Sequence, residues 1–253
     1  KPRDEYLLST KVGRLLRPDP AGRGRLDTEH DFWVDAGTKR VWDFTAAGLR
    51  RSLEESLTRL GVDRVDTVFL HDPEKYDLGL ADREAYPALA AMRDEGLVGR
   101  VGVGSMSVEA LARAARHSEL DVMMIAGRLT LAEQPVLPEV LESARRHGLG
   151  VVAAGVFNSG LLSHAAPRAD SRYEYGATPA ALLAHVRQIA AVCEEHGVDL
   201  PTAALQYPMT IDVVESVVVG GSRPRHVLQN VARMSAPVPP GLWSDLRERG
   251  LIA

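Results

Sequence analysis

Cysteine is nearly absent from this chain: Cys193 is the only one in 253 residues. A lone thiol excludes an internal disulfide and any zinc site built from several cysteines. No set of His, Asp and Glu has the spacing of metal ligands either, so no metal is expected. No apolar run approaches the roughly 18 residues that cross a bilayer, and the opening KPRDEYLLST lacks the apolar core of a signal peptide. A cytoplasmic protein without a membrane partner is expected. The formal net charge of -4 gives no basic footprint for nucleic acid. Low-complexity segments and interdomain linkers are missing too, which suggests one domain over residues 1–253.

What remains is an ordinary globular composition, 45% hydrophobic and 25% charged. It is organised around residues 65–73, VDTVFLHDP. The β-branched and aromatic run reads as a buried strand, and His71 stands at its C-terminal end. That end of a strand is where α/β enzymes keep their chemistry. A strand-end histidine satisfied by a loop carbonyl is the bland alternative. Residues 6–12 (YLLSTKV) read as a short strand with Lys11 near its end and Gly13 behind it. Residues 17–38, without periodicity, read as a long loop. Residues 45–60 read as a helix with a Leu49, Leu53, Leu57, Leu60 stripe, stopped by Gly61.

Further strands are expected at 98–104, 121–126, 150–155 and 213–219. Helices are expected at 84–94, 107–116, 138–147, 178–197, from 201, at 224–232 and at 240–249. In the longest of these, Leu182, Val186, Ile189 and Cys193 form the inner face. Such alternation means parallel strands with crossover helices. Short consecutive crossovers favour an α/β fold of the closed (β/α)8 TIM-barrel type over an open doubly wound sheet. No glycine-rich dinucleotide fingerprint follows the first strand, and GVGS at 102–105 is too short to replace it. A closed barrel of this class has eight strands, and the first two are not found. An N-terminal portion outside this sequence is expected, with closure by a partner as the alternative.

Four stretches carry a resemblance: STKVGR (9–14), RRSLEESLTRLGVDRVDTVFLHDPE (50–74), MMIAGRLTLAEQ (123–134) and FNSGLL (157–162). Together they resemble the aldo/keto reductase family, the last two its branch of D-threo-aldose, L-fucose and pyridoxal dehydrogenases. The resemblance implies an NAD(P)-dependent oxidoreductase acting on a small polar carbonyl or alcohol such as an aldose. Lys11 and His71 match the lysine and histidine of the family's catalytic tetrad. Hydride chemistry at a carbonyl needs a proton donor tuned for neutral pH. In the family that donor is a tyrosine, its phenolate stabilised by the lysine, while an aspartate holds the lysine by a salt bridge. This tyrosine and aspartate belong ahead of Lys1. Tyr6 reads as a sheet residue, Tyr76 as a loop residue that could turn into the mouth, and Tyr173 and Tyr175 as substrate-facing or surface positions.

For the cofactor, NADP or NAD, the resemblance points to Phe157, Asn158, Ser159, Gly160 and Leu161 as a loop over the pyrophosphate. Gly221, Ser222, Arg223 and Asn230 would hold the adenosine end. Gly104 and Ser105 replace the family's Ser-Asn pair at the nicotinamide, and Arg128 stands near a replaced glutamine. Gly220-Gly221 replaces a Lys-Ser pair and His226 an arginine, which leans toward NAD, while Arg223 and Arg225 remain available for the 2′-phosphate of NADP. Trp42 and Arg128 are candidate substrate-binding residues, and Trp33 and Trp42 flank the early loop. A cofactor-binding relative without catalysis, a sensor or subunit, is the alternative function.

Overall fold

The computed structural model describes residues 1–28, 33–174 and 176–253, so Tyr175 and part of the early loop lie outside the described residues. The chain divides into two compact units, residues 1–123 with 147–149, and residues 124–146 with 150–253.

The first unit opens with β1 (Ser9–Val12). Tyr6, expected in that strand, precedes it and is half-exposed, with the Arg3 guanidinium 5.2 Å from its ring. Gly13, at φ 103, turns the chain out of β1 into β2 (Arg14–Pro18). A β-carbon there would lie 2.7 Å from the Phe44 ring, so a side chain is excluded on two counts. β3 (Thr38–Trp42) pairs antiparallel with β2 from Arg14↔Trp42 to Pro18↔Thr38. The expected loop at 17–38 therefore overlaps a hairpin at its two ends, at Arg17, Pro18 and Thr38. Its strands escape a sequence reading because neither face is cleanly buried, and alternation is the signal for a strand.

α1 (Ala46–Leu60) begins where the Thr45 hydroxyl accepts the Gly48 N–H and ends at Gly61 with φ 67. Leu49 and Leu53 are buried as expected, but Leu60 is 49% exposed, and Ser52 and Ser56 face inward. The Ser56 hydroxyl donates to the Ser52 carbonyl at 2.7 Å and accepts from Arg59 at 2.9 Å. Its burial therefore leaves no bare dipole. Then come β4 (Val65–His71), α2 (Leu78–Leu80), a π-turn (Ala81–Ala85), α3 (Tyr86–Asp94), β5 (Val98–Ser105) and α4 (Val108–Ala114).

β1, β4 and β5 are parallel neighbours, with Lys11↔Phe69, Phe69↔Gly102 and His71↔Gly104 in register. Paired residues and residues two apart share a face. Lys11, Phe69, His71 and Gly104 therefore lie on one face, while Val68, Leu70, Val101 and Val103 are fully buried on the other. β6 (Val122–Ala126) begins beside β5, where the Asp121 N–H donates to the Val101 carbonyl at 2.8 Å. Gly102 permits this approach, since a β-carbon on it would lie 2.0 Å from the Val122 carbonyl oxygen.

The second unit takes up the end of β6, followed by a π-turn (Leu137–Leu141), α5 (Glu142–His147) and β7 (Gly150–Ala154). A small antiparallel pair, β8 (Arg172–Tyr173) and β9 (Gly176–Ala177), precedes α6 (Ala180–Glu195) and α7 (Leu200–Gln206). β10 (Val214–Val218) pairs parallel with β7, and α8 (Pro224–Ser235) and α9 (Pro240–Glu248) close the chain. Val186, Ile189 and Cys193 form the buried face of α6 as expected, packed with Leu161, Tyr207 and Leu246. Burial pushes the Cys193 thiol up to about 12. Among the described residues, no helix is long and apolar enough to cross a membrane, and no cluster of three or more His, Cys, Asp or Glu could hold a metal.

Candidate active site

In the first unit the expected residues stand at strand ends. Lys11 and His71 share a face by register, and Gly104 beside His71 adds no side chain to crowd it. The His71 side chain is one-third exposed. Burial, above all, lowers its pKa to about 4; Arg14, Lys11 and Lys75 push the same way, and Asp72 opposes them. Asp72 holds a left-handed backbone, φ 44 and ψ 59, and its N–H donates to the Gly104 carbonyl at 2.9 Å. Its carboxylate accepts from Arg14 at 2.5 Å.

The Arg14 guanidinium lies 4.3 Å from the centre of the Trp42 ring. Tyr76 stacks on Trp42 at 5.5 Å with the rings 2° from parallel, and Phe44 meets both edge-on. Trp42 is thus one wall of an aromatic group, backed by a cation. Ser105 is buried, its hydroxyl donating to Glu74 at 2.8 Å and accepting the Ser107 N–H at 2.9 Å. It braces the turn after β5. Trp33 is 80% exposed.

In the second unit a polar junction forms on Glu133. Its carboxylate accepts from Arg128 at 3.2 Å, from Asn158 Nδ2 at 3.1 Å and from the Tyr173 hydroxyl at 2.9 Å. Arg128 also pairs with Glu174. Burial and Glu133 push the Tyr173 hydroxyl up to about 12, so it remains a donor. The turn after β7 is unusual: Asn158 and Ser159 have φ 44 and 56, and Gly160 has φ 103. The turn is held from within: the Asn158 N–H donates to the Gly155 carbonyl and the Gly160 N–H to the Phe157 carbonyl, each at 2.9 Å. Phe157 and Asn230 line one cavity of about 510 Å³ together with Arg225, His226 and Arg233. Ser222 Oγ lies 3.4 Å from the His226 ring. Arg223 flanks the start of α8, and its side chain makes no capping bond there.

These residues fit a dinucleotide. Asn158 is 5% exposed, and its Oδ1 is buried without a partner. Nδ2 faces Glu133, with the Gly127 carbonyl 3.5 Å away. Both are acceptors, so the amide cannot be reversed, and the orphaned oxygen calls for a donor such as a carboxamide N–H. The cavity with its cationic lining and the helix start beside it suits phosphate oxygens. Sequence reasoning missed Arg14, Asp72 and Glu133. All three lie inside the quoted stretches STKVGR, LHDP and LTLAEQ, but only contacts distinguish them from surface charges.

Parallel strands bearing polar side chains at their C-terminal ends follow the plan of a β/α enzyme. The model of the aldo/keto reductase family matches residues 1–248. The chain is 51% identical over 253 residues to D-threo-aldose 1-dehydrogenase of Pseudomonas sp, covering 100% of this chain and 77% of that protein. It is 31% identical over 266 residues to pyridoxal 4-dehydrogenase of Microbacterium luteolum, covering 99% and 77%. An aldo-keto reductase from Bacillus halodurans, solved in its holo form, shares the fold. The TM-score is 0.72 over 100% of this chain and 74% of that one, at 21% identity. This chain belongs to the aldo/keto reductase family. It is an oxidoreductase with the parallel β/α architecture of the (β/α)8 barrel, from a family that uses nicotinamide cofactors on small molecules.

Proposed function

We propose that this protein is an aldose dehydrogenase, acting on the carbonyl or lactol carbon of a small sugar, with NAD preferred over NADP. The observation that carries this reading is the shared face of Lys11 and His71 at the ends of β1 and β4. The relative at 51% identity, D-threo-aldose 1-dehydrogenase, supports the choice of substrate. His71, with a pKa of about 4, is neutral near pH 7. It serves as a hydrogen-bond partner for the substrate oxygen, not as a proton source. Lys11 adds positive charge on the same face, which favours the ionised form of a phenolic donor. Trp42, stacked with Tyr76 and backed by Arg14, is the candidate apolar wall for a sugar ring in the first unit, and Arg128 is a candidate for contact with sugar hydroxyls in the second.

When bound, the nicotinamide supplies or takes the hydride. Ser159, through its N–H and hydroxyl, and the orphaned Asn158 oxygen would serve the cofactor, while the Asn158 and Gly160 N–H groups donate to the Gly155 and Phe157 carbonyls and, with Phe157 and Leu161, fix the turn. Gly104 and Ser105 shape the nicotinamide end, and Gly221, Ser222, Arg223 and Asn230 the adenosine end. Gly220 and Gly221 bring no cation for a 2′-phosphate, the basis for preferring NAD, while Arg223 and Arg225 remain available to one and keep NADP as the alternative. The test is fluorescence titration with NADH and NADPH, then turnover of an aldose panel with each oxidised cofactor. Saturable binding and sugar-dependent formation of reduced cofactor are expected, with turnover about 100-fold lower in His71→Gln. Binding without turnover of any aldose would sink this reading in favour of a cofactor-binding relative that serves as sensor or subunit.

A further inference from the structure

Three nitrogens converge on a single carboxylate oxygen. Asp72 Oδ2 lies 2.5 Å from an Arg14 guanidinium nitrogen, 3.2 Å from Lys75 Nζ and 3.5 Å from His71 Nε2. The first is a short, charge-assisted bond; the last exceeds the span of a good hydrogen bond. Arg14 is fixed in place. Its guanidinium lies against the Trp42 ring, its side chain is 18% exposed, and its Nε is buried without a partner. An arginine held at the cost of an unsatisfied donor is compensated by what its other end binds. Asp72 is fixed as well, with its left-handed backbone ahead of Pro73 and its N–H on the Gly104 carbonyl.

We propose that Arg14 is a positioning residue for His71, acting through Asp72: by occupying the one carboxylate oxygen that faces the imidazole, it keeps the ring unpaired and available to a substrate oxygen. Among the described residues, the charged groups acting on His71 are Lys11 from β1, Arg14 from β2, and Asp72 and Lys75 from the end of β4 and the turn after it; on β5 its register partner is Gly104. Lys75 is 56% exposed and 3.2 Å from the oxygen, so it is the weaker competitor. Without Arg14, the carboxylate turns to the imidazole and stabilises its charged form. Asp72 favours protonation of His71 and Arg14 opposes it, in keeping with this division of roles. The inference rests on His71 facing the substrate, as proposed above.

The test is a histidine NMR titration of the full chain, with the His71 ring signal identified by its loss in His71→Gln. In Arg14→Gln the His71 midpoint rises by about one pH unit or more. Arg14→Lys, which keeps a charge beside Asp72, restores most of the original value. In Arg14→Gln/Asp72→Asn the rise disappears, and Asp72→Asn alone lowers the midpoint. The acid limb of kcat/KM with an aldose shifts upward in Arg14→Gln and returns in the double variant. An unmoved midpoint in Arg14→Gln overturns the proposal. So does an equal rise in the double variant, which would make Arg14 a direct through-space charge. If Arg14→Gln does not fold, Asp72→Asn decides, since a rise there is incompatible with the proposal. The titration needs no turnover. Its success alongside inactivity toward aldoses would therefore separate a failure of the substrate assignment from a failure of this inference.

Discussion

Replacing Glu133 by glutamine removes one negative charge where the segments after β6 and β7 meet the β8–β9 pair. The Glu133 carboxylate collects Arg128, Asn158 and the Tyr173 hydroxyl within 3.2 Å. A hydrogen bond to a charged group contributes about 1.5–3 kcal/mol and a neutral one about 0.5–1.5 kcal/mol. Demoting these bonds loses about 1 kcal/mol each, and the new amide NH2 faces donors instead of acceptors. Glu133 is 24% exposed, so solvent trims this sum without erasing it. The expected loss is about 2 kcal/mol, which lowers the melting temperature by about 4–8 °C for a chain of this size. Tyr173→Phe alone should lose about 1 kcal/mol. The double variant should fall short of the sum, because both substitutions remove the same bond. Thermal unfolding of the three variants, with NADH titration of each, gives the cycle. A loss below about 0.5 kcal/mol for Glu133→Gln, or strict additivity, would refute the junction. Lost stability with unchanged NADH affinity would detach Asn158 from the cofactor.

Other perturbations probe separate parts of the molecule. Gly102→Ala puts a β-carbon 2.0 Å from the Val122 carbonyl oxygen, a backbone atom that cannot step aside; loss of soluble folded protein on expression is expected. Leu53→Ala empties a site that is 2% exposed and should lower stability by about 2–5 kcal/mol in urea unfolding. His71 titrates at about 4 in the folded chain against an ordinary value of 6.5, so the unfolded chain binds more protons between these values. Its share of stability is complete above the ordinary value and lost as pH falls toward 4. Urea midpoints of His71→Gln should therefore fall less steeply across that window than those of the native chain. Asn230→Ala, in the cavity that Phe157 also lines, should weaken NADH binding about tenfold by fluorescence.

Much of this fold can be read from residue patterns. Among the described residues the parallel strands fall within two or three residues of where apolar runs place them, because the runs are short and most are followed by a glycine or a helix cap. Gly61 and Ser107 fix their helix ends by local chemistry alone. The β2–β3 hairpin was not legible, since its burial depends on what lies beneath it and not on its own alternation. Ser52 and Ser56 on the inner face of α1 were equally hidden, and the Ser56 hydroxyl is satisfied there by bonds made within the helix. At the site, strand position located His71 and Lys11. The roles of Asp72, Arg14 and Glu133 depend on distances between residues far apart in sequence. A carboxylate that positions its neighbour has the same letter as one that faces water.

Cys193 has a practical meaning beyond the core it fills. The chain's only thiol sits in α6 with no exposure to solvent, and its ionisation is pushed up to about 12. Thiolate is the species that reacts, so maleimides and surface tethers find no ready target in these 253 residues when folded. A cysteine introduced at any exposed position becomes the sole reactive handle. Fluorophores, spin labels or electrode linkers can then be placed one at a time, without first stripping the background by mutation.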